Sequence, residues 1–341
     1  MKKHAIIPIF IPHEGCPNDC VFCNQKIITA RSKPVAKEDV HNIIETYLPT
    51  LEGRGIRTIE VAFFGGSFTG IPMAQQEEYL RVAYAYKQQG KIDKIHLSTR
   101  PDYINEEILD LLCAYGVDVI ELGVQSFDPQ VLSLSKRGHD EETISRAAKL
   151  IVQRGIQLGI QLMIGLPGDT KEKAMRSARE AAKLKPDLAR LYPTVILEDT
   201  ELLSLYQEGK YIPPTWEETV EITKEMYRIL TENQIQILRV GLKSTDLVTT
   251  SSDLSGGYHP AFRQIVEGEL AREQMETLLQ NSGEQQVIFC ANSKWFSNLI
   301  GHKACNKQYF AENYPNYAIK YQIDPNLNDG VVAIAAKNML K

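Results

Sequence analysis

Short apolar runs alternate with longer amphipathic stretches along most of the chain. Residues 6–11 form the first apolar run and predict a buried strand. Residues 37–51 carry Val40, Ile43, Ile44, Tyr47 and Leu48 at helical spacing, and Gly53 follows as a terminator. The same alternation predicts strands at 58–63, 95–98, 119–122, 158–163 and 188–191. Between them it predicts helices at 74–88, 106–115, 129–134, 141–154 and 171–184. β-rich runs separated by helices of this length indicate parallel βα units. Six units predict an α/β fold built as a partial (β/α)6 barrel, with a flat doubly wound sheet as the alternative. Closing an eight-stranded barrel would take two more units, and only residues 235–239 supply a clear candidate.

Beyond residue 250 the pattern changes to a helix at 261–279, a strand at 286–290, a helix including 306–311, and strands at 317–321 and 331–335. This order predicts a smaller C-terminal α+β appendage with an antiparallel or mixed sheet. The expected domains are therefore 1–250 and 251–341, the second a candidate for substrate recognition.

Composition narrows the setting. No apolar run approaches the 18 or so residues of a membrane span. A formal net charge of −5 gives no bulk attraction for nucleic acid, leaving only a local basic groove open. Six cysteines in 341 residues, with no secretory leader read at the N-terminus, argue against a disulfide framework. A cytoplasmic protein with reduced thiols is expected.

Three of those cysteines, Cys16, Cys20 and Cys23, follow the first strand as Cys-x₃-Cys-x₂-Cys. Thiolates this close can converge on one soft metal centre. Structural zinc would need a fourth ligand, for which His4 or His13 is available. The economical reading is a [4Fe–4S] cluster with one iron open to another ligand.

Function in parallel α/β folds sits at the carboxyl ends of the strands. There the second strand meets Gly65-Gly66, which let a backbone approach a ligand where a Cβ would intrude. Ser98-Thr99-Arg100-Pro101-Asp102 follows the third strand, and Gly123-Val124-Gln125-Ser126 the fourth. Part of this polarity is helix capping, but capping requires neither Arg100, whose fork suits carboxylate or phosphate, nor Gln125. Arg137-Gly138-His139 places a second cation nearby, and the fifth strand carries Gln161 before Gly165-Leu166-Pro167-Gly168-Asp169. Those last glycines either admit an adenine or ribose or make an ordinary turn. Tyr192, closing the sixth strand, either covers the mouth of the site or packs in the core.

Together these stretches resemble the radical S-adenosylmethionine (SAM) core shared by the Elongator catalytic subunit and oxygen-independent coproporphyrinogen III oxidase. Thr99-Arg100-Pro101-Asp102-Tyr103, Leu122-Gly123-Val124-Gln125-Ser126, Arg137-Gly138-His139, Leu191-Tyr192-Pro193 and Arg239-Val240-Gly241-Leu242-Lys243 lean towards the Elongator subunit. The resemblance implies that Cys16, Cys20 and Cys23 hold the cluster and that Gly65 and Gly66 receive the methionyl amine of SAM. It matches Gln125 and Arg137 to positions that contact the ribose side and the carboxylate of SAM; Ser98, Arg100 and Gln161, at or near the strand tops, are expected as further cofactor contacts. Gln161 stands where the porphyrinogen oxidase has aspartate, and the Elongator subunit spaces its first two cluster cysteines more widely.

By the same resemblance the protein reductively cleaves SAM to a 5′-deoxyadenosyl radical. It takes its electron from a donor such as reduced flavodoxin or ferredoxin. The substrate is expected to be tRNA or another RNA, with a small metabolite as the alternative and a metal-stabilised RNA-binding protein without turnover as the non-enzymatic one. No acetyltransferase-like pyrophosphate loop is read before Lys341, so carboxymethylation of tRNA uridine is not carried over. In the appendage, Lys294, Lys303, Lys307 and Lys320 with Trp295, Tyr309 and Tyr321 match either an RNA groove or a solvated face. His259, Cys290, His302 and Cys305 are spaced too broadly to read as a zinc ribbon.

Overall fold

The structure, a computed structural model, describes residues 4–11, 16, 20–24, 35–242 and 259–335. The chain divides into two compact units, one of residues 1–219 with 226–258 and one of residues 220–225 with 259–341.

The first unit is built on seven parallel strands in sequential order, curled into a half-barrel. They are β1 (His4–Ile11), β2 (Thr58–Gly65), β3 (Lys94–Thr99), β4 (Val119–Gln125), β5 (Gln157–Ile164), β6 (Leu188–Pro193) and β7 (Gln236–Val240). The partial barrel is as expected, and the extra candidate at 235–239 is the seventh strand. Helices α1 (Lys37–Leu51), α2 (Met73–Gln88), α3 (Glu106–Ala114), α4 (Pro129–Leu134), α5 (Glu141–Gln153) and α6 (Lys171–Lys183) return the chain between strands. Two more, α7 (Glu201–Gln207) and α8 (Trp216–Glu232), fall where the sequence pattern yielded no element. Both begin on a threonine cap: Thr200 accepts from the Leu203 N–H, and Thr215 from that of Glu218.

The sheet has two unlike faces because side chains alternate along each strand while paired residues share a face. On one face Ile7, Ile9, Val61, Ile95, Leu97, Ile120, Leu158, Ile160 and Leu162 are essentially inaccessible and form the core beneath the helices. The other, inner face carries Glu60, His96, Glu121, Gln161, Arg190 and Tyr192. Parallel strands usually read as continuous apolar runs. The polar alternation here marks a concave surface built for something other than packing.

The second unit holds a mixed three-stranded sheet in the order β10-β8-β9, from β8 (Gln286–Ala291), β9 (Ala318–Ile323) and β10 (Ala333–Ile334). β9 runs parallel and β10 antiparallel to β8. The long helix α9 (Phe262–Ser282), stopped by Gly283 in the left-handed region, packs Ala271, Met275 and Leu279 with Val287, Phe289 and Phe310. Two shorter helices, α10 (Phe296–Ile300) and α11 (Cys305–Asn313), complete it.

Candidate active site

The cysteine loop leaves the carboxyl end of β1. Of it, Cys16 and residues 20–24 are described. The Cys23 N–H donates to the Cys20 carbonyl at 3.0 Å, setting those two cysteines on one turn. The turn is anchored from below. Val21 is buried with Ile196, Leu202 and Tyr211, and the Asn24 amide donates to the Glu198 carbonyl at 3.0 Å.

Two arginines close on these thiols. Arg137 Nη1 donates to Cys20 Sγ at 3.1 Å and Nη2 to the Gly123 carbonyl at 2.6 Å, so one fork joins the loop to the end of β4. Arg100, 3% exposed, donates from Nε and Nη2 to Asp102 at 2.9 Å and from Nη2 to the Arg137 carbonyl. Its Nη1 is buried and has no hydrogen-bond partner among the described residues. Burial pushes the Cys16 thiol up; the Ser67 backbone hydrogen bond and the charges of Arg100 and Arg137 work the other way. Burial, with Arg137 and Arg100 beside it, also holds His139 down at about 4, which keeps its ring neutral near neutral pH.

At the end of β2, Gly65 adopts φ +105°, a conformation that favours glycine, and the Gly66 N–H donates to the Ile11 carbonyl at 2.6 Å. The following turn is locked to β3 by hydroxyls. Thr99 Oγ1 lies 2.8 Å from Ser67 Oγ and 2.6 Å from Thr69 Oγ1, and Ser67 Oγ accepts the Arg100 N–H at 3.0 Å. Neither Ser67 nor Thr69 stood out in the sequence, yet they fix the backbone of the paired glycines.

On β4, a register shift between Gly123 and Gln125 leaves Gln125 at φ +68°, strained for a residue with a Cβ. Gln161 Nε2 donates to Gln125 Oε1 at 3.0 Å, bringing two of the sequence candidates together. A Cβ on Gly123 would lie 3.2 Å from Gln125 Nε2 and 3.4 Å from Arg137 Nη2, so that glycine makes room for both. Ser98 pairs with Glu121 in the ladder and faces the inner surface. The glycines after β5 behave differently. A Cβ on Gly165 would meet Pro214 at 2.7 Å and one on Gly168 would meet Leu134 at 2.6 Å, so the chain itself fills those approaches.

Below the strand tops runs a set of charges that sequence reasoning missed. Glu60 takes His4 Nε2 at 3.1 Å and His96 Nδ1 at 2.6 Å; Arg190 Nε donates to Glu121 at 2.6 Å and Nη1 to the Tyr192 hydroxyl at 3.2 Å. The Arg190 guanidinium also lies over the Phe64 ring, 4.8 Å from its centre. Tyr192 therefore belongs to the inner face. The available signal was a polar residue at every second position of strands otherwise apolar.

A model of the Radical SAM superfamily matches residues 10–181, half the chain, and one of the Radical_SAM C-terminal domain matches residues 186–272. The chain belongs to the radical SAM superfamily. It is an enzyme of that superfamily, whose members use a [4Fe–4S] cluster and SAM. An uncharacterized protein of Methanocaldococcus jannaschii is 30% identical over 207 residues, 60% of each chain. A tRNA uridine(34) acetyltransferase of the same organism is 27% identical over 257 residues, 64% of this chain and 47% of that one. This chain thus spans half to three fifths of those relatives. A solved structure of archaeal Methanocaldococcus infernus Elp3 with an N-terminal deletion covers 80% of this chain and 64% of its own, at 22% identity and a TM-score of 0.65. It shows the shared fold.

The residues present fit the cofactors. Three thiols from one loop are the donor set such a cluster takes, and at Cys16 the charges of Arg100 and Arg137 oppose the burial that pushes its thiol up. Among the described residues no three His, Cys, Asp or Glu side chains are gathered tightly enough to hold a metal ion. No described helix is long and apolar enough to cross a membrane.

Proposed function

We propose that Cys16, Cys20 and Cys23 hold the [4Fe–4S] cluster and that SAM binds beside it at the ends of β2–β5. Bound there, the cluster would supply the electron for reductive cleavage of SAM to methionine and a 5′-deoxyadenosyl radical. The Arg137 fork between Cys20 and Gly123 carries this reading, because it fixes a cation where the cysteine loop meets the strand tops. Gly65 and Gly66 present backbone to the methionyl amine. Arg137, with the unpartnered Arg100 Nη1 behind it, faces the carboxylate. Gln125, steadied by Gln161, takes the ribose side, and Ser98 lines the floor.

The substrate we favour is RNA, in particular tRNA, on the strength of the Elongator-like stretches and the tRNA-acting relative. Arg239 would contact phosphate with Lys243, which lies outside the described residues, and the second unit would contribute recognition. A reduced flavodoxin or ferredoxin in the cytoplasm would supply the electron. A small metabolite is the second reading, favoured by the polar inner face of the half-barrel.

One experiment separates them. Reduced, reconstituted protein with SAM is given total small RNA or, separately, an RNA-free metabolite extract, and 5′-deoxyadenosine is measured. Stimulation by RNA alone, weakened by salt, supports the first reading. Stimulation by the extract alone replaces it with the second.

A further inference from the structure

We propose that Arg190 and Arg239 form an oxyanion-binding subsite on the inner face of the half-barrel, taking a carboxylate or phosphate of the substrate. The assignment rests on the reading above only in supposing that substrate occupies this face. Gln161, Arg190 and Arg239 form one row across β5, β6 and β7, each paired with the next. An extra residue in β7, opposite the step from Ala189 to Arg190, turns Arg239 into that row. Neighbouring strands lie about 4.8 Å apart, and like charges placed opposite one another on a sheet repel.

The pair is neutralised internally only in part. Glu121 answers Arg190 alone, through Nε. Nη2 of Arg190 makes no hydrogen bond among the described residues, and the Arg239 side chain makes neither a hydrogen bond nor an ion pair there. The Arg239 charge is felt at the Tyr192 hydroxyl, which also accepts from Arg190, so both cations bear on one spot. Glu121, His96 and Phe64 fix the back of Arg190, leaving its open edge as a preset donor. A carboxylate or phosphate bound there would satisfy both guanidiniums at once. A neutral ligand would leave the repulsion in place.

The test is calorimetric titration of the full chain with sodium phosphate and, separately, sodium acetate at low ionic strength, without SAM. Saturable binding of either probe is expected, weakened at least about fivefold by Arg239→Gln and unaffected by the exposed Arg146→Gln. Phosphate alone identifies a phosphoryl group, acetate alone a carboxylate. Arg239→Gln carries the test because Arg190 variants strip Glu121 of its partner; Arg190→Lys should fold and also weaken binding. No saturable binding, or equal affinity in Arg239→Gln, overturns the subsite. Because binding is read without SAM cleavage, loss of the radical chemistry with anion binding intact would sink the functional reading alone.

Discussion

Arg137 lies 3.1 Å from the sulfur of Cys20, and the same guanidinium holds the Gly123 carbonyl at 2.6 Å. A planar fork can make both bonds at once, whereas a lysine ammonium on a flexible stem cannot reproduce that geometry. Arg137→Lys should therefore behave almost like Arg137→Ala despite keeping its charge. Both should weaken SAM binding to the reconstituted protein about 10- to 100-fold, the effect of a lost charge-assisted contact beside a metal site. Equilibrium dialysis with SAM measures this. Wild-type affinity in both variants removes Arg137 from the cofactor site.

The ligand set is tested by iron content. Changing Cys16, Cys20 or Cys23 to Ala should each reduce anaerobically reconstituted iron from about four per chain to near zero. Cys290→Ala and Cys305→Ala should leave it unchanged, since Cys290 is buried in the second unit's sheet and Cys305 is exposed on its own helix. Zinc in place of iron, or loss of iron in either control, would show the wrong donors were chosen.

A third prediction concerns how Glu121 reaches Arg190, two strands away. Its side chain crosses β5 over Gly159, where a Cβ would stand 3.2 Å from Glu121 Cβ and Cγ. Gly159→Val should cost about 1–3 kcal/mol through overpacking. Glu121→Gln should cost more, about 3–5 kcal/mol, by stranding a buried guanidinium. Replacing Arg190 with Met in the Glu121→Gln background should recover part of that loss, measurable by urea unfolding. A double variant as unstable as the sum of its parts would mean the two charges do not act together.

The sheet was legible because parallel strands buried under helices must be apolar on one face, and residues such as Ile95, Leu97, Leu158 and Ile160 report that directly. Cys16, Cys20, Cys23 and Gly65-Gly66 could be singled out as candidates because their spacing is local in the sequence. Helix α8 escaped although Thr215 and Glu218 form a capping box, a pattern that sequence alone displays. What could not be read was pairing between distant strands. Nothing in the sequence near Arg100 says that it holds Asp102 and the Arg137 carbonyl, and nothing near Gln161 says that it donates to Gln125. The glycines at 165 and 168 carried two readings for the same reason. The space a Cβ would take there is filled by Pro214 and Leu134, both distant in sequence.

The turn after β5 gives a pH signature of its own. Asp169 accepts the backbone N–H groups of Gly165 and Thr170, each at 3.0 Å, which favours the ionised carboxylate. Burial outweighs them and pushes its pKa from 3.8 up to about 6. A carboxyl raised on folding stabilises the protein while protonated. Its contribution is full below the unfolded value of 3.8 and is lost as pH rises through about 6. The loss across that window is on the order of 3 kcal/mol. Asp169→Asn cannot titrate, so the stability of the wild type relative to this variant should decline between pH 4 and pH 7 by roughly that amount. Urea unfolding of both proteins at a series of pH values reads the difference directly. A difference that stays flat, or that grows in favour of the wild type as pH rises, would mean the two backbone donors win and Asp169 is ionised throughout.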